Sequence, residues 1–220
     1  MSLAAIDAQA RRAGLTVLGG LHPGPEETLP AGTATLVILG PDGPRFHPVF
    51  AAAPEAGDGR PDPVDRWSRR VVGEMAASLG ADCLFPFDGP PWPPVIRWLR
   101  ETGQCWLSPV GMLVHARMGL WVSVRGLLAL RARLDLPVPP AASPCESCAG
   151  QPCLTACPVG AFATGSYDVP ACTAHLKGAG RGTCLAAGCA VRHACPVGQD
   201  EAPPPEQAAL HMRAFLVSNG

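Results

Sequence analysis

The sequence predicts an α+β chain in two parts, residues 1–138 and residues 139–220, and three observations carry that expectation. Apolar residues recur with helical spacing in some N-terminal segments and form strand-like runs in others. The eight closely spaced cysteines all lie between Cys145 and Cys195, and the residues before them hold only Cys83 and Cys105. Between the two regions, Leu136 to Pro144 carries Pro137, Pro139, Pro140 and Pro144, a composition that favours extended backbone and marks a linker near residue 140.

Taken in order, Leu3 to Ala13 has helical spacing, and Thr33 to Leu39 is a short apolar, partly β-branched run closed by Gly40 and Pro41, as in a buried strand. Asp62 is placed to cap a helix with Pro63 at its first position and Asp65 three residues after the cap. Trp67, Val71, Met75 and Leu79 would form its core stripe, and Gly80 its stop. A shorter helix is expected from Pro94 to Thr102, ended by Gly103. Leu120 to Leu130 fits either helix or strand, because Trp121 to Arg125 alternates and Leu127 to Leu130 does not. A closing helix over Gln207–Val217 would present Leu210, Ala214 and Val217 on one face.

The 220 residues, 47% hydrophobic, suffice for a substantial core. A formal charge of -1 supplies no basic field for nucleic acid or an anionic membrane, so neither partner is expected. The N-terminus lacks the features of a secretory signal, and no apolar run reaches the roughly 18 residues of a membrane span. These features lead to the expectation of a cytoplasmic protein. In a reducing compartment ten cysteines point to metal rather than to disulfides. No Gly-x-Gly-x-x-Gly or Gly-x-x-x-x-Gly-Lys loop is present, which argues against a nicotinamide dehydrogenase of the doubly wound type and against nucleotide-driven chemistry.

The cysteines form two runs. The first is Cys145-x2-Cys148-x4-Cys153-x3-Cys157 and the second Cys172-x11-Cys184-x4-Cys189-x5-Cys195, each ending in Cys-Pro-Val-Gly. An iron-sulfur cubane needs four thiolates converging from several directions, which close spacing on a turn plus one distant cysteine supplies. Structural zinc on four cysteines is the rival reading, but it favours paired Cys-x2-Cys knuckles, and this chain has one such pair. Residues 145–198 resemble the two-cluster bacterial ferredoxin domain, whose repeated pattern is Cys-x2-Cys-x2-Cys-x3-Cys-Pro. The resemblance implies two [4Fe-4S] clusters, with the fourth cysteine of each run serving the other cluster. One set would be Cys145, Cys148, Cys153 and Cys195, and the other Cys157, Cys172, Cys184 and Cys189. Two assembled clusters would bring the net charge to about -5. Between 145 and 200 the only lysine or arginine residues are Lys177, Arg181 and Arg192, expected on solvated surface. Cys83 and Cys105 stand outside the pattern and read as inert core thiols.

In the N-terminal part, the segment from His115 through Gly119 and Trp121 to Arg125 and Gly126 resembles a motif of the cobalamin-processing CblC group, with similar segments in epoxyqueuosine reductases and reductive dehalogenases. Ala116 stands where that motif has proline, and Met118 where it has an aromatic. The resemblance implies a nitroreductase-like α+β domain holding a corrinoid, or less readily a flavin, ahead of a small ferredoxin-like domain. His115, Trp121 and Arg125 would be cofactor-binding, with Arg125 offering a bidentate fork to an anionic edge. The plainer reading makes His115 and Trp121 core residues and gives Arg125 buried carbonyls to satisfy. Two functions follow as expectations: delivery of single electrons to a corrinoid held by the N-terminal part, or a dicluster electron carrier whose N-terminal part docks a redox partner protein.

Overall fold

The computed structural model describes residues 1–163 and 166–219, and it mixes helices with two small antiparallel sheets, which makes the chain α+β. Among the described residues no helix is long and apolar enough to cross a membrane. The chain divides into two compact units, one of residues 1–104 and 123–140, the other of residues 105–122 and 141–220. That division departs from a single cut at residue 138, because Cys105 to Val122 belongs with the cysteine-rich part.

The first unit opens with α1 (Leu3–Arg12), capped by Ser2, whose hydroxyl accepts a hydrogen bond from the Ala5 N–H. Strands β1 (Leu15–Leu21) and β2 (Thr35–Pro41) follow. Next come α2 (Phe46–Ala51), the one-turn α3 (Pro54–Gly57), α4 (Pro63–Leu79), β3 (Asp82–Leu84) and α5 (Val95–Glu101). The chain then contributes β4 (Cys105–Leu107) and β5 (Leu113–His115) to the second unit and returns to the first as β6 (Gly126–Leu130). The four-stranded sheet runs β1-β2-β6-β3 with every neighbouring pair antiparallel. Its central strands β2 and β6 are buried along their whole length, which explains why their sequences read as unbroken apolar runs. The ambiguous stretch from Leu120 resolves into strand only at Gly126.

Helix α4 buries Trp67, Val71 and Met75 as its periodicity requires, with Leu79 half-buried at the end. Trp67 meets Phe46 and Phe50 edge-on, with ring centroids 5.1 and 6.2 Å away. Gly80 ends the helix in the left-handed conformation, φ 61°. The expected side-chain cap is corrected: Asp62 is itself left-handed, φ 51° and ψ 51°, and its carboxylate makes no capping bond. A cap needs extended backbone at that residue to aim the carboxylate at the free amides. Asp65 does not complete a capping box either; its carboxylate accepts from Arg125 at 3.2 Å.

Arg70 grips Glu55 with two parallel bonds of 2.6 and 2.9 Å, and these hold the Glu55 carboxyl at about 2, down from its ordinary 4.5. A depressed folded-state pKa contributes stability that is complete above 4.5 and is lost as pH falls toward 2. Glu55→Gln should therefore flatten the stability profile between those limits, as read by denaturant midpoints across an acid series.

In the second unit β4 and β5 form a hairpin pairing Cys105 with His115, Trp106 with Val114 and Leu107 with Leu113. Four helices follow: α6 (Val169–Lys177), α7 (Cys184–Ala187), α8 (Ala190–Ala194) and α9 (Pro205–Asn219). The core joins both stretches of chain, with Val110, Val114 and Leu120 packed among Phe162, Val191, Cys153 and Cys195. The expected closing helix forms as α9 with Leu210 half-buried, but the rest of the expected face does not pack inward. Ala208 is buried and Met212 and Phe215 are half-buried, whereas Ala214 and Val217 are exposed. A Cβ on Gly188 would lie 2.8 Å from that of Ala208, so close packing against a glycine turns the helix by its small residue, not by its aliphatic ones.

Candidate metal centres

Both centres are built within the second unit. Cavity one is lined by Cys145, Cys148, Cys153 and Cys195; cavity two is lined by Cys157, Cys172, Cys184 and Cys189. These are the two sets of four that the ferredoxin resemblance assigns to its two clusters. All ten cysteines are free thiols. Among the described residues no three His, Cys, Asp or Glu side chains converge on one point as a single ion requires.

Short elements place them. Cys145 and Cys148 share a turn, with the Cys148 N–H 3.4 Å from the Cys145 carbonyl, and Cys153 sits on one turn of 3-10 helix. Cys172 rides on α6, whose cap Asp168 accepts from the Ala171 N–H at 2.9 Å, and Cys184 opens α7. Cys189 and Cys195 flank α8 in extended backbone, so that five helical residues send one thiol to each cavity. The repeated Cys-Pro-Val-Gly has a conformational cause: Gly160 and Gly198 both take the left-handed region, φ 61° and 76°. After the first of these turns the Ala161 N–H donates to Cys157 Sγ at 3.3 Å.

Burial pushes the Cys145, Cys153, Cys172 and Cys189 thiols up, and neighbouring cysteines of the same cavity push in the same direction. Hydrogen bonds oppose this at Cys172, from the Tyr167 hydroxyl, and at Cys189, from the Arg192 and Val191 amides. Four thiols in an apolar cavity can all ionise only around a cationic core that balances them. The donor set fits such a core, and so do two orphaned polar atoms. Ser108 Oγ on the wall of cavity one and His175 Nε2 on that of cavity two are buried without a hydrogen-bond partner among the described residues.

The N-terminal candidates separate. His115 is buried in the second unit, where its Nδ1 accepts from the Arg117 and Met118 amides at 3.0 and 3.1 Å, and it pins a tight turn closed by the His115–Gly119 bridge. Trp121 is buried in the same unit, edge-on to His193 with centroids 4.8 Å apart, and its Nε1 has no partner among the described residues. Arg125 lies in the first unit with its fork spent on Asp65 and the Val124 carbonyl. His115 and Trp121 thus belong to the second unit and Arg125 to the first.

Arg192 is not solvated surface. It is half-buried, its guanidinium donates to the Leu120 carbonyl, and burial lowers its pKa against the attraction of Cys189. Lys177 and Arg181 are exposed. Cys105 is buried with its thiol pushed up to about 12, and Cys83 is half-buried with its thiol also raised; neither lines cavity one or cavity two.

Sequence reasoning missed Ser108, His175 and Tyr167. Tyr167 is the single tyrosine of the chain, stacks on Phe162 at 4.6 Å and bonds to Cys172; its place five residues before a cysteine of the second run was the one available signal. Nothing in the sequence around Ser108 marks it. No family model matches the chain, and searches for similar curated proteins and for similar solved structures find no match.

Proposed function

We propose that the chain is an electron-transfer protein whose second unit binds two [4Fe-4S] clusters. The observation that carries this reading is the sorting of eight cysteines into two cavities, each taking three thiols from one run and one from the other. Bound there, the clusters would exchange single electrons. The chain's part is to hold them: thiolates ligate, buried Val191 and Phe162 keep water from the space around them, and the Ala161, Val191 and Arg192 amides direct partial positive charge at ligating sulfurs. A single zinc ion per site fits the geometry less well, because four thiols around one ion draw in to roughly 3.8 Å from one another.

For the first unit, a nitroreductase-related scaffold of the CblC kind is the inferred fold, with its four-stranded antiparallel sheet as support. The residues of the CblC-like motif favour the carrier over corrinoid reduction. His115 and Trp121 belong to the unit with the cysteines, and Arg125 is committed to Asp65. The electron donor and acceptor are then separate redox proteins, and the first unit serves docking.

The test is anaerobic purification with iron and sulfide quantified, followed by titration with hydroxocobalamin. About eight irons per chain, as two cubanes require, with an unshifted corrinoid spectrum is the expected result. Zinc in place of iron would sink the cluster reading. A saturable spectral shift at full iron would restore the corrinoid as acceptor.

A further inference from the structure

Resting on the reading of the cavities as cluster sites, we propose that the Ser108 hydroxyl donates a hydrogen bond to a sulfur of the inorganic core held by Cys145, Cys148, Cys153 and Cys195. This bond sets that cluster's reduction potential apart from its neighbour's. Ser108 comes from outside the cysteine repeat. It follows β4 directly, where its backbone closes the hairpin turn, the N–H donating to the Met112 carbonyl and the carbonyl accepting from the Gly111 N–H, both at 2.9 Å. These bonds fix the residue and leave the side chain without a role in the hairpin.

The residue is 7% exposed, and Oγ has no partner among the described residues, backbone or cysteine sulfur. A buried hydroxyl without a partner is destabilising, and native structures rarely keep one. Ser108 shares the wall of cavity one with Val114 and Leu120, whose side chains cannot bond to it, and with Gln151, whose amide does not reach its Oγ. The missing acceptor therefore belongs to whatever fills the cavity. Ligating thiolates still accept hydrogen bonds, as Cys157 Sγ does from the Ala161 N–H, but no cysteine sulfur lies within hydrogen-bond reach of Ser108 Oγ, which leaves the core's own sulfides as acceptors. One-electron reduction adds negative charge to those sulfurs, so a donor aimed at them favours the reduced state and raises the potential.

The experiment is a potentiometric titration of the full-length holoprotein, followed by electron paramagnetic resonance, with iron counted in every sample. Ser108→Ala should keep its iron, and one of the two reduction steps should move negative. A tenfold change in the reduction equilibrium corresponds to about 59 mV for one electron, and a shift of that order is expected. Ser108→Thr, which keeps the hydroxyl, should restore the original value. Full iron with both potentials unmoved overturns the proposal, and so do two potentials that move together. If the alanine variant sheds iron, Ser108→Thr decides: full iron with both original potentials supports the bond, and iron loss there too overturns it in favour of a steric role. Wild-type protein without iron would fail at the first count, which separates failure of the cluster reading from failure of this assignment.

Discussion

Replacing Cys145 and Cys195 together should remove about four irons per chain, and replacing Cys157 and Cys195 together should remove about eight. Cys145 and Cys195 lie fifty residues apart and on different runs, yet they line one cavity, whereas Cys157 and Cys195 occupy equivalent places in the repeat and line different ones. Two ligands of one centre act as a unit, so the second substitution adds little once the first has emptied the site. Ligands of separate centres add. Iron analysis of the three single variants and two doubles, with Cys83→Ala as a control expected to keep all its iron, reads the pairing directly. Equal losses in the two doubles would show that each run builds its own centre and would overturn the crossed arrangement.

Gly119→Ala should empty cavity one at temperatures where the wild type is intact, and leave cavity two loaded. Gly119 is left-handed, φ 55°, where a Cβ costs about 1–2 kcal/mol. That Cβ would also stand 2.0 Å from the Val197 carbonyl oxygen and 3.4 Å from Cys195 Sγ. Backbone cannot yield as a flexible side chain does, and overpacking of this kind costs a further 1–3 kcal/mol or so. The sum, about 2–5 kcal/mol, falls on the segment that presents Cys195 to cavity one. Thermal release of iron, followed by absorbance and counted after desalting, should show an early step of about half the iron. A single step at the wild-type temperature would mean that the turn from His115 to Gly119 does not support the centre.

The grouping of the cysteines was legible because it is marked locally: thiols recur at short spacing and a turn needs a left-handed glycine, as at Cys157 and Gly160 or Cys195 and Gly198. Strand β2 and helix α4 were legible for a related reason, since burial along a regular element imposes a period or an unbroken apolar run, but the unbroken run of β6 left helix and strand open. What the sequence concealed depends on meetings between distant residues. The buried face of α9 is chosen by the fit of Ala208 against Gly188, which no hydropathy pattern records. Arg192 looks like a surface charge until the Leu120 carbonyl arrives from more than seventy residues away. Ser108 has the least to show in sequence, being one hydroxyl in a loop of Ser, Pro, Val and Gly whose importance lies wholly in the cavity it borders.

The excursion of the chain from Cys105 to Val122 makes the two units interleaved rather than successive. A nick or crossover in the proline-rich stretch near residue 140, where composition alone invites one, would yield a C-terminal piece lacking Ser108, Val114 and Leu120, one side of a cavity wall. Such a piece would keep every thiol and still be an incomplete vessel. Recombination that exchanges this cysteine-bearing unit between proteins must therefore carry two separate inserts, because the stretch from Cys105 to Val122 is encoded within the chain of the other unit.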